Sequence, residues 1–150
     1  MTRREMREHC FKMLFSVDFY PKDETTEQAE QYFASPEEDD TTDEGKVEIV
    51  HQVDVEEKDR KFLIDRVEGM AAHIPELDEK INSVAQGWKT RRMGKVELTI
   101  LRQALYEMMY DSEVPEKVAI NEAVDLAKKY GGKDSPAFIN GVLAKLVTAE

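Results

Sequence analysis

The chain has 150 residues, 41% of them hydrophobic and 35% charged, which suits one compact domain or two tightly joined halves with enough apolar material for a core. No apolar run approaches the roughly 18 residues of a membrane helix. The basic start MTRREMREHC lacks the apolar stretch of a secretory signal, and the lone Cys10 has no internal disulfide partner, so a reducing cytoplasm is expected rather than the membrane or an exported, disulfide-stapled class. The net charge of −11 is concentrated: residues 23–59 hold 15 of the 32 acids against only Lys46 and Lys58, leaving 17 acids and 19 bases elsewhere. The total therefore does not exclude a nucleic-acid partner.

Taken in chain order, Thr2 is placed to cap a helix from about Arg3 to Phe19. Met6, Cys10, Met13, Leu14 and Val17 share one side and are expected in the core. Arg4, Arg7, Phe11 and Phe15 form a second stripe, basic first and aromatic later, and Pro21 ends the helix. Glu24–Ala34 is a weaker helix with Ala29, Tyr32 and Phe33 as its apolar contribution. Ser35–Lys46 (SPEEDDTTDEGK) has no aromatic or branched aliphatic residue and reads as a mobile, solvated loop. Val47–Val55 alternates loosely, but no partner strand is visible, so it reads as irregular.

Asp54 is the expected N-cap of a helix over about 55–73, buried through Phe62, Leu63, Arg66, Val67 and Met70. Pro75 opens a further helix to about Gln86 that buries Leu77, Ile81 and Val84 or Ala85, and Gly87 closes it. Trp88–Lys95 is a basic connector. The helix Val96–Tyr110 carries Leu98, Ile100, Leu101, Ala104, Leu105, Met108 and Met109 over roughly 180° at about 100° per residue, with Arg102, Gln103 and Tyr106 outside that arc. So wide an apolar face belongs to a helix with neighbours on several sides. This helix is the expected central pillar of an all-helical core.

After Pro115, a helix over about 117–130 presents Ala119, Ile120, Ala123, Val124, Leu126 and Ala127 over roughly 160°. Its alanines permit close approach of another helix, and Glu122, Asp125, Lys128 and Lys129 face away. Gly131-Gly132 is expected to supply a left-handed stop. Asp134 or Ser135 then caps a last helix, with Pro136 in its first turn, reaching about Ala149 and burying Phe138, Ile139, Val142, Leu143 and Leu146.

Enzyme signals are poor. His9, His51 and His73 do not stand at metal-ligand spacing with Cys10 or one another, and there is no nucleophile elbow, Walker loop or GxGxxG motif. No metal or cofactor is expected. The stripe on the first helix has two readings. Its arginines suit phosphates and its rings suit stacking on single-stranded RNA; alternatively Arg4 pairs with Glu8 while Phe11 and Phe15 are core.

The segment ILRQALYEMMYDSEVPEKVAINEAVDLAKKYGGKDSPAFINGVL resembles the C-terminal half of the NusB family, bacterial transcription antitermination and rRNA-processing factors. RREMREHCFKMLFS is similar to that family's arginine-rich first helix. The likeness runs through nearly the whole chain and is weakest over residues 21–54. It implies an all-α fold of about seven helices in two packed antiparallel bundles, about 3–73 with an acidic flexible insertion at about 35–50, and about 75–149. It implies a non-enzymatic adaptor that binds boxA-like single-stranded RNA with NusE, the small-subunit ribosomal protein, in the antitermination complex with RNA polymerase. Some family members are homodimers.

Carried over by motif, Arg3, Arg4 and Arg7 contact phosphates, Phe15 occupies an aromatic position, and Tyr130, Asp134 and Phe138 line the same RNA surface. Glu97 matches a position near the NusE-facing surface; its other reading is dipole stabilisation of a helix start. Glu5 and Glu8 thin the basic cluster, so RNA binding is expected to be weak alone and stronger with NusE. Alanine at Arg4 and Arg7 is expected to weaken RNA binding with melting nearly unchanged, whereas a large stability loss favours a salt-bridge role. Two other functions compete: an accessory domain of the kind that begins some rRNA cytosine methyltransferases, and a homodimer whose helices serve assembly.

Overall fold

The computed structural model describes residues 1–34, 36–41, 47–52, 56–85, 90 and 93–148. Helix α1 spans Arg3–Phe15; Thr2 caps it by accepting from the Glu5 N–H at 3.1 Å. It is four residues shorter than expected. The Ser16 hydroxyl donates to the Met13 carbonyl at 2.8 Å, and the chain tightens into a 3-10 turn at Val17–Phe19 before Pro21. A second 3-10 turn (Lys22–Glu24) leads into α2, Thr25–Ala34.

The acidic run departs from its expected loop. Strand β1 (Pro36–Thr41) pairs antiparallel with β2 (Val47–Gln52), with register shifts on either side of Glu38. The partner of VEIVHQ was thus present all along in the run PEEDDT. It lacked a period-2 apolar signal because backbone pairing requires only N–H and C=O groups. Residues 42–46, within the same expected loop, lie outside the described residues.

Helix α3 is Glu57–Ala72, with Glu56 at its N-cap and no side-chain cap; the expected cap Asp54 lies outside the described residues, as do Gly87 and half of the basic connector. Helix α4 is Ile74–Val84 with Pro75 in its first turn. Then come α5, Lys95–Tyr110, α6, Glu116–Tyr130, and α7, Ser135–Thr148. The class is all-α, with one hairpin attached.

The buried side chains form two clusters. One joins Cys10, Met13, Leu14 and Val17 of α1 and its turn to α2 and α3. The other joins α4, α5, α6 and α7, and Phe11 reaches into it from α1. Helix α5 is the pillar, and Tyr106 packs against both clusters. The Tyr106 hydroxyl needs Gly69: a Cβ there would stand 2.5 Å from it. Ala119, Ala123 and Ala127 are all buried, letting α6 lie close to its neighbours.

The pillar is buried over more of its circumference than its apolar arc implied. Thr99, Arg102, Gln103 and Glu107 are buried as well. Arg102 donates to both oxygens of Asp78, at 2.8 and 2.7 Å, and to Asp18 at 2.9 Å. Phe62, expected inside, is 43% exposed; the Arg66 guanidinium lies over its ring and donates to Asp111 at 2.6 Å.

Burial pushes the Asp111 carboxyl up, but the Arg66 bond and charge and the Glu113 N–H outweigh it and hold its pKa below the usual value. An acid lowered in the folded state contributes stability that is present above about pH 4, the ordinary Asp value, and lost as pH falls through the folded one. Asp111→Asn is therefore expected to lose stability less steeply than wild type on acidification, measured by urea melts at a series of pH values.

Gly131 is not left-handed: its φ is −95°. Its requirement is space, since a Cβ would lie 2.6 Å from Ser135 Cβ and 2.8 Å from the Ala127 carbonyl. The buried Ser135 hydroxyl accepts from the Gly132 N–H at 3.0 Å and donates to Glu97 at 2.5 Å, tying the start of α7 to the start of α5.

Candidate nucleic-acid interface

Side chains of the α1 stripe reach across to α6. Arg4, 68% exposed, makes a two-pronged contact with Glu122 (Nε 3.2 Å, Nη2 3.1 Å) and reaches Asp125 at 3.3 Å. Arg7 is only 9% exposed. Its Nε donates to both oxygens of Glu107, at 2.8 and 3.2 Å, and its Nη1 stands 3.7 Å from Glu122. Glu122 is therefore shared between the two arginines. Further along, Lys129 donates to Glu8 at 2.5 Å, and the Tyr130 hydroxyl donates to the same carboxylate. Burial pushes Glu8 up, but these two bonds outweigh it and hold its pKa below the usual value.

The expected Arg4–Glu8 pair is thus replaced by cross-helix pairing. Glu122 and Asp125, expected to face away, turn to α1. Arg3 is solvent-exposed, with a long 3.7 Å contact to an equally exposed Glu113, a pairing of little energetic weight.

The aromatic half of the stripe divides between the two readings. Phe11 is buried, 5.0 Å centroid to centroid from Tyr130. Phe15 is half-buried, 6.3 Å from Phe11 and 5.9 Å from Phe19, which is 69% exposed with Lys95 Nζ 5.7 Å over its ring. A row of rings therefore runs from the core at Tyr130 and Phe11 outward to Phe19. Asp134 is exposed at the α6–α7 turn, and Phe138 is half-buried against the α4–α7 cluster.

Arg4, Glu122 and Asp125 also border a shallow groove of about 670 Å³ between α6 and α7, with Asn121, Lys128 and Asn140 on its walls. Glu97 sits in the first turn of α5, where its charge favours the helix dipole, and it is bound to Ser135.

Glu107 and Glu122 were not singled out as partners of the arginines. Glu122 carried no spacing signal, since its cations lie more than a hundred residues away. Glu107 had one: Thr99, Gln103 and Glu107 recur every four residues, a polar stripe on an otherwise apolar helix. Cys10 is buried, and burial pushes its thiol up to about 12, so it stays protonated and unreactive. Among the described residues no group of three or more His, Cys, Asp or Glu is arranged to hold a metal, and no helix is long and apolar enough to cross a membrane.

Two helical cores sharing a central helix, with a cationic first helix packed on α3 and α5 and tied to α6 through its side chains, define an all-α double-bundle protein. The NusB family model matches residues 4–148. The chain belongs to the NusB family. It is 44% identical over 145 residues to the transcription antitermination protein NusB of Agathobacter rectalis, covering 97% of this chain and 98% of that one. It is 42% identical over 147 residues to the protein of the same name from Lachnoclostridium phytofermentans, covering 98% and 99%. Among solved structures, T. maritima NusB superposes with a TM-score of 0.76 at 26% identity over 99% of this chain and 92% of that one. The crystal structure of antitermination factors NusB and NusE in complex with dsRNA superposes at 0.71 over 99% and 97%; at 22% identity it shows the shared fold.

Proposed function

We propose that this protein is a non-enzymatic RNA-binding adaptor of transcription antitermination, acting in the cytoplasm. It binds boxA-like single-stranded RNA together with NusE, within the assembly on RNA polymerase. The observation that carries this reading is end-to-end likeness to proteins named for transcription antitermination. The solved NusB–NusE complex with dsRNA is of the same fold. Arg3 and Arg4 are the exposed guanidiniums that would meet phosphates, with Phe15, Tyr130, Asp134 and Phe138 on the adjoining surface and Glu97 toward the protein partner. Arg7 would act through Glu122, which it shares with Arg4. The two hydrophobic clusters are read as the two halves of one domain, about 3–73 and 75–149.

Titration with boxA-like RNA at one fixed salt concentration, with and without purified NusE, tests the reading. Tighter binding with NusE supports it, and equal affinities or no binding in either case overturn it. The Arg4 contacts sharpen the expectation. A phosphate must compete with Glu122 and Asp125 for this guanidinium, so Glu122→Gln with Asp125→Asn is expected to raise RNA affinity by a factor of about two to five. Arg4→Ala is expected to lower affinity and reduce the salt slope by about 1. Fluorescence anisotropy over a salt series reads both.

A further inference from the structure

On the far side of α1 from α6, a cleft of about 560 Å³ opens between α1, α3 and α5. Gln103 lines it and is 2% exposed. Its Nε2 donates to the Arg7 carbonyl at 2.9 Å. Its Oε1 has no hydrogen-bond partner among the described residues. A buried amide oxygen left unpaired is costly in a folded protein, and it calls for a donor from outside. Glu107 lies one turn further along α5, also lining the cleft. Its two oxygens receive a single Arg7 Nε, so lone pairs remain available.

The rest of the lining is flat. Phe62 and Tyr110 are 43% and 46% exposed. The Arg66 guanidinium lies 5.2 Å over the Phe62 ring and 5.9 Å over the Tyr106 ring, and Tyr106 and Tyr110 are 5.0 Å apart. Exposed rings and a guanidinium plane are stacking surfaces for nucleobases. The charges select further. A cationic side chain would meet Arg3, Arg7 and Arg66, while an anion would meet Asp65, Glu107, Asp111 and Glu113. A neutral, flat ring with hydrogen-bond donors meets neither penalty.

We propose that this cleft takes one base of a bound single-stranded RNA, and that the base is guanine. Guanine presents two adjacent donors, N1–H and the N2 amino group, and Gln103 and Glu107 present acceptors one helical turn apart on the same face. Arg3, on the cleft's rim and exposed, connects it to the α1 surface that the adaptor reading assigns to phosphates. The inference rests on that reading for its ligand, and its test is separable from it.

The test uses the full chain and four mononucleotides: GMP, AMP, CMP and UMP. All carry the same ribose and phosphate, so differences report the base. The side-chain amide resonance of Gln103 is followed by NMR through each titration. GMP is expected to shift it saturably and more tightly than the other three. Phe62→Ala, at a position too exposed to threaten folding, is expected to weaken GMP by about five-fold or more, the loss of one stacking surface. No shift at Gln103, an equal response to all four, or an unchanged GMP titration in Phe62→Ala overturns the proposal. If single-stranded RNA binds and Arg4→Ala weakens it while Gln103 stays unmoved by GMP, the cleft fails and the adaptor stands. If GMP titrates Gln103 and no RNA is bound, the adaptor reading fails instead.

Discussion

Arg7→Ala is expected to destabilise the protein by about 3–5 kcal/mol, the usual cost of removing one partner from a buried ion pair. For a chain of this length that lowers the melting temperature by roughly 6–20 °C. The variant leaves Glu107 buried without its cation, and burial already pushes the Glu107 carboxyl above its usual value against the pull of Arg7. Arg4→Ala, at a solvated guanidinium, is expected to melt close to wild type. Thermal denaturation of the two variants side by side checks this, and an Arg7→Ala variant that melts with wild type contradicts the buried pair. The expectation that both arginines could be removed with melting nearly unchanged is therefore kept for Arg4 and withdrawn for Arg7. Replacing both members, Arg7→Met with Glu107→Leu, is expected to recover most of the loss. A fall in RNA binding by Arg7→Ala consequently reports folding before it reports contact with phosphate.

The second large effect lies at the middle of the pillar, at Arg102 of α5. Arg102→Ala removes a guanidinium whose fork is filled by Asp78 and whose third nitrogen takes Asp18. Its side chain is buried. A loss of about 3–5 kcal/mol is expected here too, read from the urea midpoint at constant slope. Asp78→Ala is expected to cost more than Asp18→Ala, because Asp78 makes two parallel bonds to the buried Arg102, whereas Asp18 makes one to it and one to the more exposed Lys95, from a more exposed position itself. Equal losses from the two aspartates would contradict the bidentate geometry.

Helices α5, α6 and α7 were readable within a residue or two, because long apolar periodicity and flanking breakers depend only on local sequence. What escaped was decided by distant residues. The polar face of α5 looked like surface until α1 and α4 supplied Glu107 with Arg7 and Arg102 with Asp78. Phe62 looked like core by periodicity alone, yet it stands exposed with Arg66 over its ring. The hairpin escaped because one of its strands is a run of acids with no strand-like composition. Within the candidate interface, the arginines and rings were visible as a stripe. Their division between surface and interior was not, since a helical wheel gives the direction of a side chain but not what waits there.

The bonds that hold α1 in place span nearly the whole polypeptide. Arg7 reaches Glu107 across 100 residues, Arg4 reaches Glu122 across 118, and Tyr130 reaches Glu8 across 122. A ribosome adding about 5–20 residues each second takes roughly 5–20 seconds to make the first of those partners after Arg7. Throughout that interval α1 has Arg4 and Arg7 unmatched and the Phe11 ring unsheltered. Nascent chains of this protein must therefore keep α1 out of wrong associations until α6 has emerged.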